Sequence, residues 1–151
     1  MKSTAGWGRA ALTVAVTMAL DQGSKALVVD SLGRGESVDV FFGLELTNTR
    51  NTGVAFGALE GSGTIVGVLI GLALVLLIGY FAMNSERPWL WLPVGMLLGG
   101  ALGNLVDRVR EGAVIDFIDP VAWPAFNVAD SAIVVGVAGL LYVAEARPGS
   151  R

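Results

Sequence analysis

The side chains that could do chemistry in this 151-residue chain are few. Neither cysteine nor histidine is present, so a disulfide frame, a thiol nucleophile, a histidine general base and a His/Cys metal cluster are all excluded. Carboxylates, lysine, hydroxyls and amides remain, and they fall in short groups. Asp21 and Lys25 stand one helical turn apart, as an i,i+4 pair on one face. Asn104, Asp107 and Arg108 follow the spacing i, i+3, i+4, and Asn127 and Asp130 the spacing i, i+3. Asp116 sits between Ile115 and Phe117, where neither capping nor a turn explains it. Asn51-Thr52-Gly53 reads equally well as a plain loop turn, since Asn and Gly tolerate left-handed backbone. Chemistry built from such groups is proton transfer by carboxylates, with amides and cations to orient what they act on.

The elements that must position these groups belong to a membrane. Hydrophobic residues make up 54% of the chain, glycine adds 21 residues and charged residues are only 15%; a globular domain carries about 25% charge. With a mean hydropathy of +0.67, disorder, a fibre and a basic nucleic-acid binder are excluded, and the net charge of −3 implies no polyionic partner. Crossing about 30 Å of hydrocarbon takes about 20 helical residues. Four stretches qualify: Ala10–Val29, Thr64–Met83, Pro88–Val106 and Asn127–Ala144. Thr64–Met83 is free of charge; Pro88–Val106 opens on a proline and carries Trp89 and Trp91 at headgroup height. Ala10–Val29 is interrupted by Asp21 and Lys25, and its first half also has the look of a signal-peptide core behind Lys2 and Arg9. The expected fold is a membrane all-α protein: one integral domain over residues 1–151, a bundle of four transmembrane helices with outer loops at 30–63 and 107–126.

Four spans put both termini on one side. Lys2, Arg9, Arg87, Arg147 and Arg151 share that side; Lys25, Arg34, Arg50, Arg108 and Arg110 take the other. The first set is packed into short termini and the Asn84–Arg87 turn, so the termini are expected in the cytoplasm. In the first outer loop, Ser37–Thr47 alternates apolar and polar residues, the pattern of a strand in a small extracytoplasmic sheet between helices 1 and 2. Asp107–Phe126, broken by Gly112, Pro120 and Pro124, reads as an interfacial segment. No internal repeat is evident.

In this topology Asp21, Lys25, Asn104, Asp107, Arg108, Asn127 and Asp130 converge on the outer face, while helix 2 contributes no charge. Ionisable residues at membrane depth face a bundle interior or a wet cavity, which makes this the mouth of a site. Plainer readings stand beside it. Asp21–Lys25 can be a structural ion pair, Asp107–Arg108 headgroup-level charges, Asp119-Pro120 a turn, and Asp130 a carboxylate favoured by a helix N-terminus. The residues alone leave three functions open: a membrane hydrolase, a proton-coupled transporter or channel subunit, and a non-catalytic assembly protein packed through the Gly67/Gly71 pair.

Five segments narrow the choice. Asp21-Gln-Gly-Ser-Lys25, Asn51-Thr-Gly-Val-Ala-Phe56, Gly103-Asn-Leu-Val-Asp-Arg108, Val114-Ile-Asp-Phe117 and Phe126-Asn-Val-Ala-Asp130-Ser131 resemble, in order and spacing, the motifs of the lipoprotein signal peptidases (signal peptidase II). Two departures show: Ser24 stands where threonine is common, and the loop between Asp116 and Trp123 is short, which bears on the substrate entrance rather than on the catalytic pair. The resemblance implies an aspartic endopeptidase of the bacterial inner membrane that removes the signal peptide from a prolipoprotein, on the amino side of a diacylglyceryl-modified cysteine. It implies Asp116 and Asp130 as the catalytic pair, with Asn51, Asn104, Arg108 and Asn127 lining the substrate site. Asp21, Lys25 and Asp107 are then structural. No metal, cofactor or nucleic acid is expected; the partners are the diacylglyceryl prolipoprotein and membrane lipid, the chain is expected to be a monomer, and its site to lie at the outer face.

Overall fold

The computed structural model describes residues 4–53, 63–120 and 122–145; Lys2, Val54–Phe56, Arg147 and Arg151 lie outside these. Four helices and three strands follow one another as α1 (Thr4–Ser31), β1 (Ser37–Phe41), β2 (Leu44–Asn51), α2 (Gly63–Asn84), α3 (Trp91–Glu111), β3 (Val114–Pro120) and α4 (Val128–Glu145). Among the described residues three helices are long and apolar enough to cross a membrane: α1, Gly67–Asn84 of α2, and α4, with mean hydropathies of 1.2, 2.1 and 1.7. The third expected span differs. It does not start at Pro88, because Ser85–Leu90 turns back on itself through Arg87 N–H to Asn84 C=O and Leu90 N–H to Arg87 C=O. Nor does it end at Val106. α3 runs on through Asp107, Arg108, Arg110 and Glu111 and stops at Gly112, whose φ of +70° and N–H bond to Arg108 C=O close the helix. Its 21 residues are thus long enough to span, but its last turn is charged.

Contacts along the helices give their directions. Gly95, Gly99 and Gly103 of α3 lie against Thr13, Thr17 and Asp21 of α1 in step, so α1 and α3 run parallel. A Cβ added at these glycines would sit 2.5, 2.7 and 2.5 Å from Thr13 Cβ, Thr17 Cβ and Asp21 Oδ2, a separation that only glycine permits. On the other side of α3, Gly100 meets the Ala129 carbonyl and Gly136 meets Leu97 and Pro93, which sets α4 antiparallel. Among the described residues α2 joins through its C-terminal end: Phe81, with Leu77 and Tyr80, packs into a cluster with Ala10, Leu90 and Val94, and Trp7 meets the Phe81 ring edge-on at 4.8 Å. Nothing lies within 4 Å of a Cβ built at Gly67 or Gly71, toward the other end of α2, so the Gly67/Gly71 pair makes no close packing among the described residues.

The alternation over Ser37–Thr47 is one hairpin rather than one strand. The chain folds back at Phe42-Gly43, where Gly43 takes a φ of +73°, and β1 pairs antiparallel with β2 from Ser37↔Thr47 to Phe41↔Leu44. β3 completes a sheet in the order β1-β2-β3. The middle of the segment Asp107–Phe126 is thus a strand. β3 lacks alternation because Val114, Ile115, Asp116 and Phe117 are all buried; successive residues point to opposite faces, so both faces are covered there and period 2 is lost. β2 and β3 pair from Asn51↔Val114 through Thr49↔Asp116, slip between Thr49 and Leu46, and resume to Leu44↔Pro120.

Candidate active site

The site forms where β2, β3, α3 and α4 meet. β3 holds Asp116 in a site where the residue is 2% exposed. Asn51, at the end of β2, donates from Nδ2 to Asp116 Oδ2 at 2.9 Å. Its own Oδ1 accepts the Gly53 N–H at 2.9 Å, where Gly53 has a φ of +78°; that turn fixes which end of the amide faces the carboxylate. Asn127 donates from Nδ2 to Asp116 Oδ1 at 2.8 Å, so both Asp116 oxygens accept an amide.

Asp130 is placed by the start of α4. Asn127 caps that helix: its Oδ1 accepts the Asp130 N–H at 2.9 Å, and Asp130 Oδ2 reaches back to accept the Asn127 N–H at 3.2 Å. This is a reciprocal capping box written with Asn and Asp. Asp130 Oδ1 accepts Asn104 Nδ2 at 2.8 Å. The two carboxylates therefore share Asn127 as a common partner. Burial, first of all, pushes the Asp116 carboxyl above the usual carboxylate range; the Asp130 charge adds to this, against the lowering influence of the Asn51 and Asn127 donors and the Lys25 charge. Two carboxyl groups so placed, one buried and one half-buried, can hold one proton between them and so serve as acid and base together.

Beneath the pair lies an ionic layer. Lys25, 2% exposed, bonds Asp21 Oδ2 at 2.8 Å and Asp107 Oδ2 at 2.7 Å. Asp21 Oδ1 accepts the Ala129 N–H of α4 at 3.0 Å, and Asp107 Oδ2 accepts the Ile115 N–H of β3 at 3.1 Å. α1 is thereby tied to α3, α4 and the strand that carries Asp116. Among the described residues no group of three or more His, Cys, Asp or Glu gathers as a cation site; the ammonium of Lys25 stands between Asp21 and Asp107.

All nine residues expected at the site lie in or beside this network. Arg108 is the least engaged, donating from Nη1 to the Asn104 carbonyl at 3.3 Å, with Nη2 3.7 Å from a Cβ built at Gly53. Val54–Phe56 of the second motif fall outside the described residues. Gln22 was not expected: its Nε2 lies 2.9 Å from Asp107 Oδ1 and 3.1 Å from Asp21 Oδ2. Its sequence signal was an amide adjoining Asp21 inside an apolar span.

Comparison with known proteins shows the family. Residues 13–145 match the family model described as signal peptidase (SPase) II. The chain belongs to the signal peptidase II family. A lipoprotein signal peptidase of Moorella thermoacetica is 43% identical over 130 residues, covering 83% of this chain and 85% of that protein. One from Enterococcus faecalis is 41% identical over 131 residues, covering 83% and 81%. A solved structure of a bacterial membrane enzyme superposes with a TM-score of 0.85 at 30% identity, covering 93% of this chain and 95% of that one. These matches make the chain a member of a peptidase family and a bacterial membrane protein.

Proposed function

We propose that this signal peptidase II family member is an aspartic endopeptidase that cuts the signal peptide from prolipoproteins on the amino side of the diacylglyceryl-modified cysteine. The observation that carries the reading is the paired fixing of Asp116 and Asp130 by Asn127, with Asn51 and Asn104 supplying the remaining amides. In the reaction one proton is shared by the pair. The ionised carboxylate takes a proton from water as its oxygen attacks the scissile carbonyl carbon, and the protonated carboxyl donates to the carbonyl oxygen. Collapse of the gem-diol breaks the C–N bond, and the leaving amine of the cysteine takes a proton from the pair. Asn51 and Arg108, at the more open side, hold the peptide backbone; Asn104 and Asn127 orient the carboxylates.

The same reading sets the chain in the cytoplasmic membrane with four helices spanning, both termini inside and the sheet and site at the outer face, where water reaches a peptide bond. The substrate's apolar signal helix enters sideways from lipid. Cleavage of a diacylglyceryl prolipoprotein by the purified protein in detergent tests this, with Asp116→Asn and Asp130→Asn as comparisons. Wild-type cleavage with both folded variants inactive supports the pair; cleavage by either variant at the wild-type rate removes it. In that case proton flux in liposomes tests the transporter alternative.

A further inference from the structure

Lys25 has a second consequence besides tying helices together. Its ammonium carries three hydrogens and meets three acceptors: Asp21 Oδ2, Asp107 Oδ2 and, at 3.2 Å, Asn104 Oδ1. The same Asn104 amide donates from Nδ2 to Asp130 Oδ1. An asparagine amide has two ends of opposite character and nearly equal shape, so what faces Oδ1 decides what Nδ2 can reach. Turned over, the Asn104 amide would set its NH2 against the Lys25 ammonium and its oxygen against Asp130. Asn127 Nδ2 also approaches Asn104 Oδ1, at 3.1 Å, but its two hydrogens are divided among three acceptors, Asn104 Oδ1, the Ile115 carbonyl and Asp116 Oδ1. Asp116 is the charged and shorter of these bonds, at 2.8 Å. Asn127 therefore holds the Asn104 amide only in part, and Lys25 supplies the donor that is not shared away.

We propose that Lys25 is a positioning residue of the peptidase reaction: from beneath the site it locks the Asn104 amide in the orientation that presents its NH2 to Asp130. The inference rests on the proposed peptidase reading. It distinguishes Lys25 from a residue that merely holds α1 against α3, because a lock acting through Asn104 changes turnover and has nothing left to act on once Asn104 is gone.

The experiment is a mutant cycle read by prolipoprotein cleavage in detergent. Lys25→Met alone leaves Asp21 and Asp107 without their counter-charge and is prone to unfold. Lys25→Met/Asp107→Asn removes one charge of each sign and keeps the net charge of the layer, so it is the variant to measure, with thermal unfolding to establish that it is folded. Expected is a fall in kcat of about 100-fold, the cost of a misplaced group near the reacting centre, with KM unchanged. In an Asn104→Ala background the same pair of changes is expected to lower kcat no further. Full kcat in the folded double variant overturns the proposal, as does an equal loss in both backgrounds or a loss confined to KM. Failure of the peptidase reading is seen separately, as a wild-type protein that does not cleave.

Discussion

Asp116 illustrates how much one residue's surroundings decide. Its burial and the nearby Asp130 charge raise its carboxyl pKa in the fold, so the ionised form costs the folded state free energy that the neutral form does not. The sign follows from linkage: this contribution is intact below the ordinary carboxylate pKa of about 4 and is lost as pH rises through the raised value. The melting temperature of Asp116→Asn relative to wild type is therefore expected to increase with pH between about 4 and 8; a constant difference across that range contradicts the assignment. The amides are expected to act less strongly than the acids. Asn51→Ala removes one charge-assisted hydrogen bond to Asp116, and cleavage is expected to fall about 10- to 100-fold, from about 1.5–3 kcal/mol. Loss of either carboxyl of the proposed pair, in Asp116→Asn or Asp130→Asn, is expected to cost about 100- to 10,000-fold. An Asn51→Ala protein as inactive as Asp116→Asn reverses that order. At this scale Asp116 was conspicuous in the sequence because an acid inside Val-Ile-Asp-Phe-Ile has no local excuse. Gln22 was not, since its partners on α3 come from more than 80 positions away.

Among the elements, the apolar helices were legible from length and hydropathy, while the sheet and the helix ends were legible only in part. The alternation of Ser37–Thr47 continues across Phe42-Gly43, so the fold-back at Gly43 left no break in the pattern. β3 is buried on both faces over Val114–Phe117 and shows no period, and the apolar count ends the third span at Val106, while α3 runs on to Glu111. What the sequence did carry, without its partner being visible, was the Gly95, Gly99, Gly103 series. These glycines bring α1 close enough for Lys25 to reach Asp107 on α3 while Asp21 reaches the Ala129 N–H of α4. Gly103→Ala places a methyl 2.5 Å from Asp21 Oδ2, and it is expected to destabilise the protein by about 1–3 kcal/mol and to reduce cleavage with it. Gly71→Ala meets nothing within 4 Å and is expected to leave stability unchanged or raise it by up to about 1 kcal/mol, since alanine is the better helix former. Equal melting temperatures for the two variants contradict the close seam between α1 and α3.

For the molecule as a whole, the polarity of the bundle decides whether a water-dependent cut at a membrane surface is feasible. The cluster of Ala10, Phe81, Leu90 and Val94 closes one end with apolar packing; the carboxylates, amides and sheet crowd the other. Among the described residues α2 touches the rest near Phe81 and Leu77 and presents Val68, Leu69, Leu72, Val75 and Leu76 outward, which suits a helix facing lipid. Charge asymmetry in the short loops was the only sequence signal for which end faces the cytoplasm, and five basic residues on each side made it a matter of loop length rather than number. The chain has no native cysteine, so a single introduced thiol reports its side of the membrane without background. Asp39 of β1 is exposed and Glu86 lies in the exposed turn between α2 and α3. In intact cells, Asp39→Cys is expected to react with a membrane-impermeant maleimide, and Glu86→Cys only after the membrane is opened. The reverse pattern would place the carboxylate pair on the cytoplasmic side, where a secreted prolipoprotein no longer exposes its cleavage site, and would overturn the peptidase topology even if the pair itself proved catalytic in detergent.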